Sequence, residues 1–217
     1  MKKWDVLSSI VQGGLVAVVR AESGEQAMRI AAACLEGGLT AIEITYTVPN
    51  ATEIIGELGR NYGASIVLGA GTVLDPETAR MAILAGAQYV VGPSFNAETA
   101  RLCNRYQVPY VPGIMTIREA QEALEHGADI LKVFPGELFG PQIIKSIKGP
   151  LPQANLLPTG GVSLENVEQW IVAGAVAVGV GGQLTAGAKI GDYAAVTTYA
   201  KKMLEKIRAA RASRKPQ

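Results

Sequence analysis

Residues 15–47 read LVAVVRAESGEQAMRIAAACLEGGLTAIEITYT, and this stretch decides the fold. It opens on an apolar run, Leu15–Arg20, and closes on a second, Ala41–Thr47. Between them Ala27, Ile30, Ala31, Cys34 and Leu35 recur at i, i+3, i+4, i+7 and i+8, which aligns apolar side chains along one stripe of a helix. Ser23 and Gln26 are spaced as a capping box ahead of that stripe. Glu36-Gly37-Gly38 ends it with glycines able to take the left-handed conformation that stops a helix. Strands apolar at nearly every position are covered on both faces, which is the condition of a parallel sheet. The stretch is a β-α-β unit.

The unit repeats to the end of the chain. Further apolar segments fall at Ser65–Val73, Tyr89–Ser94, Tyr110–Ile114, Ile130–Gly136, Asn155–Val162 and Ala177–Leu184, making eight in all, each rich in Val and Ile or bounded by Gly or Pro. Helical patterns follow them, the last being Val196, Tyr199, Ala200, Met203, Leu204 and Ile207. Asp75 before Pro76, Asn96, Thr116 with Glu119, and Ser163 stand where helix N-caps belong. Ala85-Gly86-Ala87, His126-Gly127-Ala128 and Ala173-Gly174-Ala175 repeat the glycine stop. Eight βα units in 217 residues predict a single α/β domain, a (β/α)₈ TIM barrel with a parallel eight-stranded sheet. A doubly wound open sheet is the competing arrangement. Residues 1–14 should supply a short N-terminal helix closing the barrel floor, and the basic tail 208–217 should fray.

Composition narrows the function. A net charge of +1 offers no field for nucleic acid or an anionic membrane, and no apolar run is long enough to span a bilayer. The start of the chain lacks a signal-peptide pattern, so a cytoplasmic protein is expected. Cys34 and Cys103 fall in helical stretches and read as buried free thiols. One histidine, His126, does not make a zinc site; no metal and no cofactor are expected.

Functional groups of a barrel sit at the carboxyl ends of its strands. Five of the eight segments carry no charge. Of the others, one ends in Arg20, one holds Glu43 between Ile42 and Ile44, and one holds Lys132 between Leu131 and Val133. Side chains alternate across a strand, so isoleucines facing the helices leave Glu43 facing inward, and Lys132 and Phe134 inward by the same rule. An inward lysine and glutamate either form a structural ion pair or do chemistry. The chemical reading is direct: a lysine amine in a partly apolar pocket can attack a ketone as a Schiff-base nucleophile, and a carboxyl can shuttle the proton.

Two glycine-rich turns complete the pattern, Pro158-Thr159-Gly160-Gly161 and Gly179-Val180-Gly181-Gly182. Loops after strands seven and eight of this fold often hold phosphate on backbone N–H groups. Gly69-Ala70-Gly71-Thr72 offers backbone and a hydroxyl to a carboxylate, while Pro93 and Pro112-Gly113 shape the rim.

Ile42-Glu43-Ile44-Thr45, Gly69-Ala70-Gly71-Thr72-Val73, Pro112-Gly113-Ile114, Leu131-Lys132-Val133-Phe134-Pro135 and Pro158-Thr159-Gly160-Gly161 occur in one order. Between about Leu15 and Leu184 the chain thereby closely resembles the 2-keto-3-deoxy-6-phosphogluconate (KDPG) aldolase family, also known for 4-hydroxy-2-oxoglutarate aldolase activity. The resemblance implies a metal-free class I aldolase that releases pyruvate and glyceraldehyde 3-phosphate, and a homotrimer. It implies Lys132 as the Schiff-base lysine, Glu43 as acid/base, Thr72 at the pyruvate carboxylate, Phe134 beside the lysine, and Gly160 and Gly161 in the phosphate loop. Two positions depart from the family pattern. Thr47 stands where well-known members have an arginine, and Gln183 where they have a serine in the final phosphate loop. A related or non-phosphorylated 2-keto-3-deoxy sugar acid, of galactonate type, is the alternative substrate. Arg20 is expected to take over the anion anchoring that Thr47 cannot supply. A phosphosugar isomerase or epimerase, a binding barrel without activity and a metal-dependent aldolase are the competing functions. Neither of the first two needs an inward lysine beside a glutamate.

Overall fold

The computed structural model describes residues 2–213. Strands and helices alternate: α1 (Lys3–Gly13), β1 (Leu15–Val19), α2 (Gly24–Glu36), β2 (Ala41–Thr45), α3 (Ala51–Tyr62), β3 (Val67–Gly71), α4 (Pro76–Ala85), β4 (Tyr89–Val91), α5 (Ala97–Arg105), β5 (Tyr110–Val111), β6 (Gly113–Ile114), α6 (Ile117–Glu125), β7 (Leu131–Val133), α7 (Gln142–Lys148), β8 (Leu156–Pro158), α8 (Val167–Ala173), β9 (Val178–Val180) and α9 (Tyr193–Ser213). Every strand pairing is parallel. The hydrogen-bonded ladder is not one continuous ring, however. It forms a six-stranded sheet in the order β5-β4-β3-β2-β1-β9 and a three-stranded sheet in the order β6-β7-β8. The fifth apolar segment is split at Pro112, which has no N–H to give to a ladder. On the other side a single parallel bridge, Thr159 with Gly179, links the two sheets.

Alternation sorts the side chains as the sequence pattern requires. Ala17, Val19, Ile42, Ile44, Leu68, Ala70, Leu131 and Val133 join the large core between strands and helices. Val16, Ala41, Val67, Tyr89, Val91, Val111 and Leu157 form a second, inner cluster, closed at one end by Val6, Leu7 and Ile10 of α1. Helix starts follow from the caps: Ser23, Asp75, Asn96 and Thr116 each accept the backbone N–H three residues on. Ser163 differs, because α8 begins only after Asn166; the Ser163 hydroxyl accepts from Glu165 N–H in the turn before it. Gly86 and Gly174, at φ 111° and 115°, end their helices in the conformation that β-carbon sterics deny other residues.

The expected fraying from residue 208 is not what the fold shows. Helix α9 continues through Ser213, and Arg211 donates to the carbonyls of Val11, Gln12 and Val176 at 2.6–2.7 Å. The guanidinium satisfies carbonyls that the end of α1 leaves open. Residues 214–217 of the tail lie outside the described residues.

Candidate active site

Glu43 and Lys132 meet on the inner face. They are 2% and 4% exposed, and Nζ of Lys132 lies 4.0 Å from Oε1 of Glu43. The Lys132 ammonium position is 5.0 Å from the centroid of the Phe134 ring, so the aromatic forms one wall of the amine's pocket. Glu43 reaches this place because β3 has no side chain in the way. A β-carbon on Gly71 would overlap Oε1, Cδ and Cγ of Glu43, far inside ordinary contact. Burial pushes the Glu43 carboxyl above its ordinary range, against the opposing pull of Lys132 and, more weakly, Arg20. Its Oε1 has no hydrogen-bond partner among the described residues, which is unusual for a buried acceptor, and it faces Lys132 Nζ instead.

The remaining expected residues lie at or just past the ends of their strands. Arg20 stands just past β1, exposed, on a cavity of about 230 Å³ that it shares with Glu22, Gln26, Thr185 and Lys189. Thr47 is exposed, and its hydroxyl is committed: Thr45 Oγ1 donates to the Val19 carbonyl at 3.0 Å, so the 2.7 Å contact leaves Thr47 as the donor to Thr45. Thr72 follows Gly71 with φ 56°, a turn that lifts its side chain off the strand path. Pro93 packs its carbonyl where a β-carbon on Gly113 would stand, so β6 needs glycine there.

The glycine turn after β8 is tightly held. Gly160 and Gly161 have φ 94° and 70°, and side chains on either would collide with Glu137. Asn166 Nδ2 donates to the Gly161 carbonyl at 2.7 Å, and Gly136 N–H to the Thr159 carbonyl at 2.8 Å. Thr159 Oγ1 is buried with no hydrogen-bond partner among the described residues, over Gly179, whose missing β-carbon makes its space. Gly181 and Gly182 follow β9 directly, and Thr185 Oγ1 donates to the Gly181 carbonyl at 3.2 Å. Gln183 is turned to α9, where its Oε1 accepts from the Tyr199 hydroxyl at 3.1 Å.

Sequence reasoning missed Tyr89. This tyrosine of β4 is 1% exposed in the inner cluster, and its hydroxyl has no hydrogen-bond partner among the described residues. Elsewhere, burial pushes the Cys34 and Cys103 thiols up to about 12, so neither serves as a nucleophile at neutral pH. Among the described residues no group of three or more His, Cys, Asp or Glu is placed to hold a metal ion. No described helix is long and apolar enough to cross a membrane.

The class is thus a parallel α/β fold that seats a buried lysine amine against a buried glutamate carboxyl near its strand ends. The chain belongs to the KDPG and KHG aldolase family, whose model matches residues 6–199. It is 37% identical over 171 residues to the 2-dehydro-3-deoxy-6-phosphogalactonate aldolase of Escherichia coli K12, covering 78% of this chain and 83% of that one. It is 34% identical over 194 residues to a 2-dehydro-3-deoxy-phosphogluconate aldolase of Treponema pallidum, covering 88% and 92%. Its fold superposes with a TM-score of 0.84, at 25% identity and over 94% of this chain and 98% of the other, on KDPG aldolase from Legionella pneumophila with pyruvate captured at low pH as a covalent carbinolamine intermediate.

Proposed function

We propose that this chain is a Schiff-base aldolase that cleaves 2-keto-3-deoxy-6-phosphogluconate to pyruvate and glyceraldehyde 3-phosphate in the cytoplasm. The observation that carries the reading is the pair itself: Lys132 Nζ 4.0 Å from Glu43 Oε1, both buried. The lysine amine adds to the C2 ketone to give a carbinolamine, which loses water to leave an iminium ion. Glu43, as carboxylate, takes the C4 hydroxyl proton. The C3–C4 electron pair moves into the iminium as C4 leaves as the aldehyde. Glu43 returns the proton to C3 of the enamine, and water releases pyruvate and the free amine. Pairing an amine nucleophile with one positioned acid/base is general acid–base and covalent catalysis in one pocket. Thr72 and the Gly71 backbone hold the pyruvate carboxylate, Phe134 walls the imine, Thr159 with Gly160, Gly161, Gly181 and Gly182 binds the distal phosphate, and Arg20 steers the anion at the rim beside Pro93 and Thr47.

The two sheets act in this reading as one (β/α)₈ barrel, with β5 and β6 a single strand interrupted at Pro112 and the Thr159–Gly179 bridge closing the ring. The protein assembles as a homotrimer, which sedimentation equilibrium tests. A galactonate-type substrate is the second reading, favoured by the 6-phosphogalactonate relative; kcat/KM for the two phosphorylated sugar acids decides between them. Borohydride reduction with pyruvate tests the main reading: the adduct should map to Lys132, and an active enzyme that is not trapped there would overturn it.

A further inference from the structure

Glu43, Gly69 and Tyr89 stand in one row across three neighbouring strands: Glu43 pairs with Gly69, and Gly69 with Tyr89. Residues in register point to the same side of a sheet, so all three positions face inward. The middle one is empty of side chain, and the tyrosine fills it. A β-carbon on Gly69 would overlap Cζ and both Cε atoms of Tyr89, so the hydroxyl-bearing end of the ring lies across β3 toward β2. The Glu43 carboxyl occupies the next inward position of the same strand, over Gly71. Two buried atoms in this compartment have no hydrogen-bond partner among the described residues, the Tyr89 hydroxyl and Glu43 Oε1. One is a donor and the other an acceptor. An unsatisfied buried polar group is costly, and two complementary ones over successive inward positions of one strand call for a common explanation.

We propose that Tyr89 is a positioning residue for the acid–base carboxyl: its hydroxyl donates a hydrogen bond to Glu43 when Glu43 is ionised and holds the carboxylate beside the Lys132 amine. The proposal rests on the reading of Glu43 as the proton carrier. The terminal torsion of a glutamate is broad, so the carboxylate can turn to accept this bond without leaving its site. Burial, and secondarily the Glu43 charge, hold the phenol well above its ordinary range, so it stays a neutral donor throughout the working pH range. The ionisable groups that face Glu43 are Lys132 from β7, Arg20 from the end of β1 and Tyr89 from β4. The two cations act on its charge from a distance, whereas the tyrosine stabilises one protonation state through a directed bond.

Tyr89→Phe keeps the ring over Gly69 and removes only the donor. The acidic limb of kcat/KM against pH, where Glu43 becomes ionised, should then move up by about one pH unit, a tenfold change in the ionised fraction at a given pH. Pyruvate trapping at Lys132 should persist, because the amine itself is untouched. A limb that stays in place, with wild-type enzyme trapped at Lys132, would overturn the role of Tyr89 alone. Wild-type enzyme that is active yet not trapped at Lys132 would overturn the aldolase reading and this one with it. A second measurement needs no folded Phe variant. The near-ultraviolet tyrosine band of wild-type enzyme should titrate with the midpoint of the acidic limb and lose that step in Glu43→Gln. A band that does not titrate, or that titrates equally in the Gln variant, would overturn the proposal.

Discussion

Replacing Glu43 with glutamine separates what the carboxyl costs the fold from what it contributes to turnover. Folding raises the Glu43 pKa above its ordinary value of 4.5, burial outweighing the attraction of Lys132 and Arg20. The folded chain therefore binds this proton more tightly than the unfolded chain. Between the ordinary and the raised value, stability must fall as pH rises, with a limiting slope of about 1.4 kcal/mol per pH unit for this one group. Above the raised value the loss is complete and constant. Glutamine is neutral at every pH and keeps the shape, so Glu43→Gln should match wild type near pH 4 and become progressively more stable as pH rises through that window. Turnover should meanwhile fall by about 10²–10⁴-fold. Urea unfolding at a series of pH values, with kcat measured on the same preparations, reads both. If the variant is equally or less stable at every pH, the ionised pair with Lys132 supports the fold, and the argument from burial is wrong. If turnover survives, Glu43 is only a structural partner.

Lys132→Arg should be inactive and give no borohydride adduct, because a guanidinium keeps the charge but is no nucleophile at neutral pH; residual turnover near wild type would refute the nucleophile. Gly71→Ala should displace the Glu43 carboxyl it would overlap, costing about 10²-fold in kcat for a misplacement of this kind and about 1–3 kcal/mol in stability. Arg20→Ala should weaken pyruvate binding by about 1.5–3 kcal/mol, with Arg20→Lys recovering only part of it; unchanged affinity would leave Thr72 and the Gly71 backbone as the anchor. Arg211→Ala should lower stability by about 1.5–3 kcal/mol through the lost bonds to Val11, Gln12 and Val176 while leaving kcat unaltered, as denaturant unfolding beside an activity assay would show.

Much of this was legible from residue order because it depends on period. Apolar runs with helical stripes between them mark the strands, and Ile42 and Ile44 force Glu43 inward by alternation alone. What escaped depends on contacts between distant segments. The break at Pro112 needs to be seen against β7, since Lys132 N–H still donates to the Pro112 carbonyl across it. The order in α9 after residue 208 comes from Arg211 meeting carbonyls some 200 residues earlier. In the sequence Thr47 shows only as a missing arginine; that its hydroxyl bonds Thr45 appears only in the fold. Tyr89 opens an apolar segment and reads as an ordinary strand aromatic; only its register with Gly69 sets it apart.

That register changes what the glycines of β3 are for. The run Gly69-Ala70-Gly71-Thr72 suggests backbone laid open to a ligand, and in the fold its two glycines first make room for protein. Each lies under a group the site depends on, Gly69 under the Tyr89 ring and Gly71 under the Glu43 carboxyl, while Ala70 between them packs outward into the large core. The same device recurs across the molecule, where Gly179 clears the space of Thr159. A strand position emptied of its β-carbon lets a neighbouring strand send a long side chain across the inner face without widening the sheet spacing, which hydrogen bonding fixes at about 4.8 Å. A carboxyl can thus be buried beside an amine while β1, β2 and β3 keep their parallel pairings. The glycines are therefore a structural requirement of the lysine–glutamate pair, and side chains cannot be added to them without moving the chemistry.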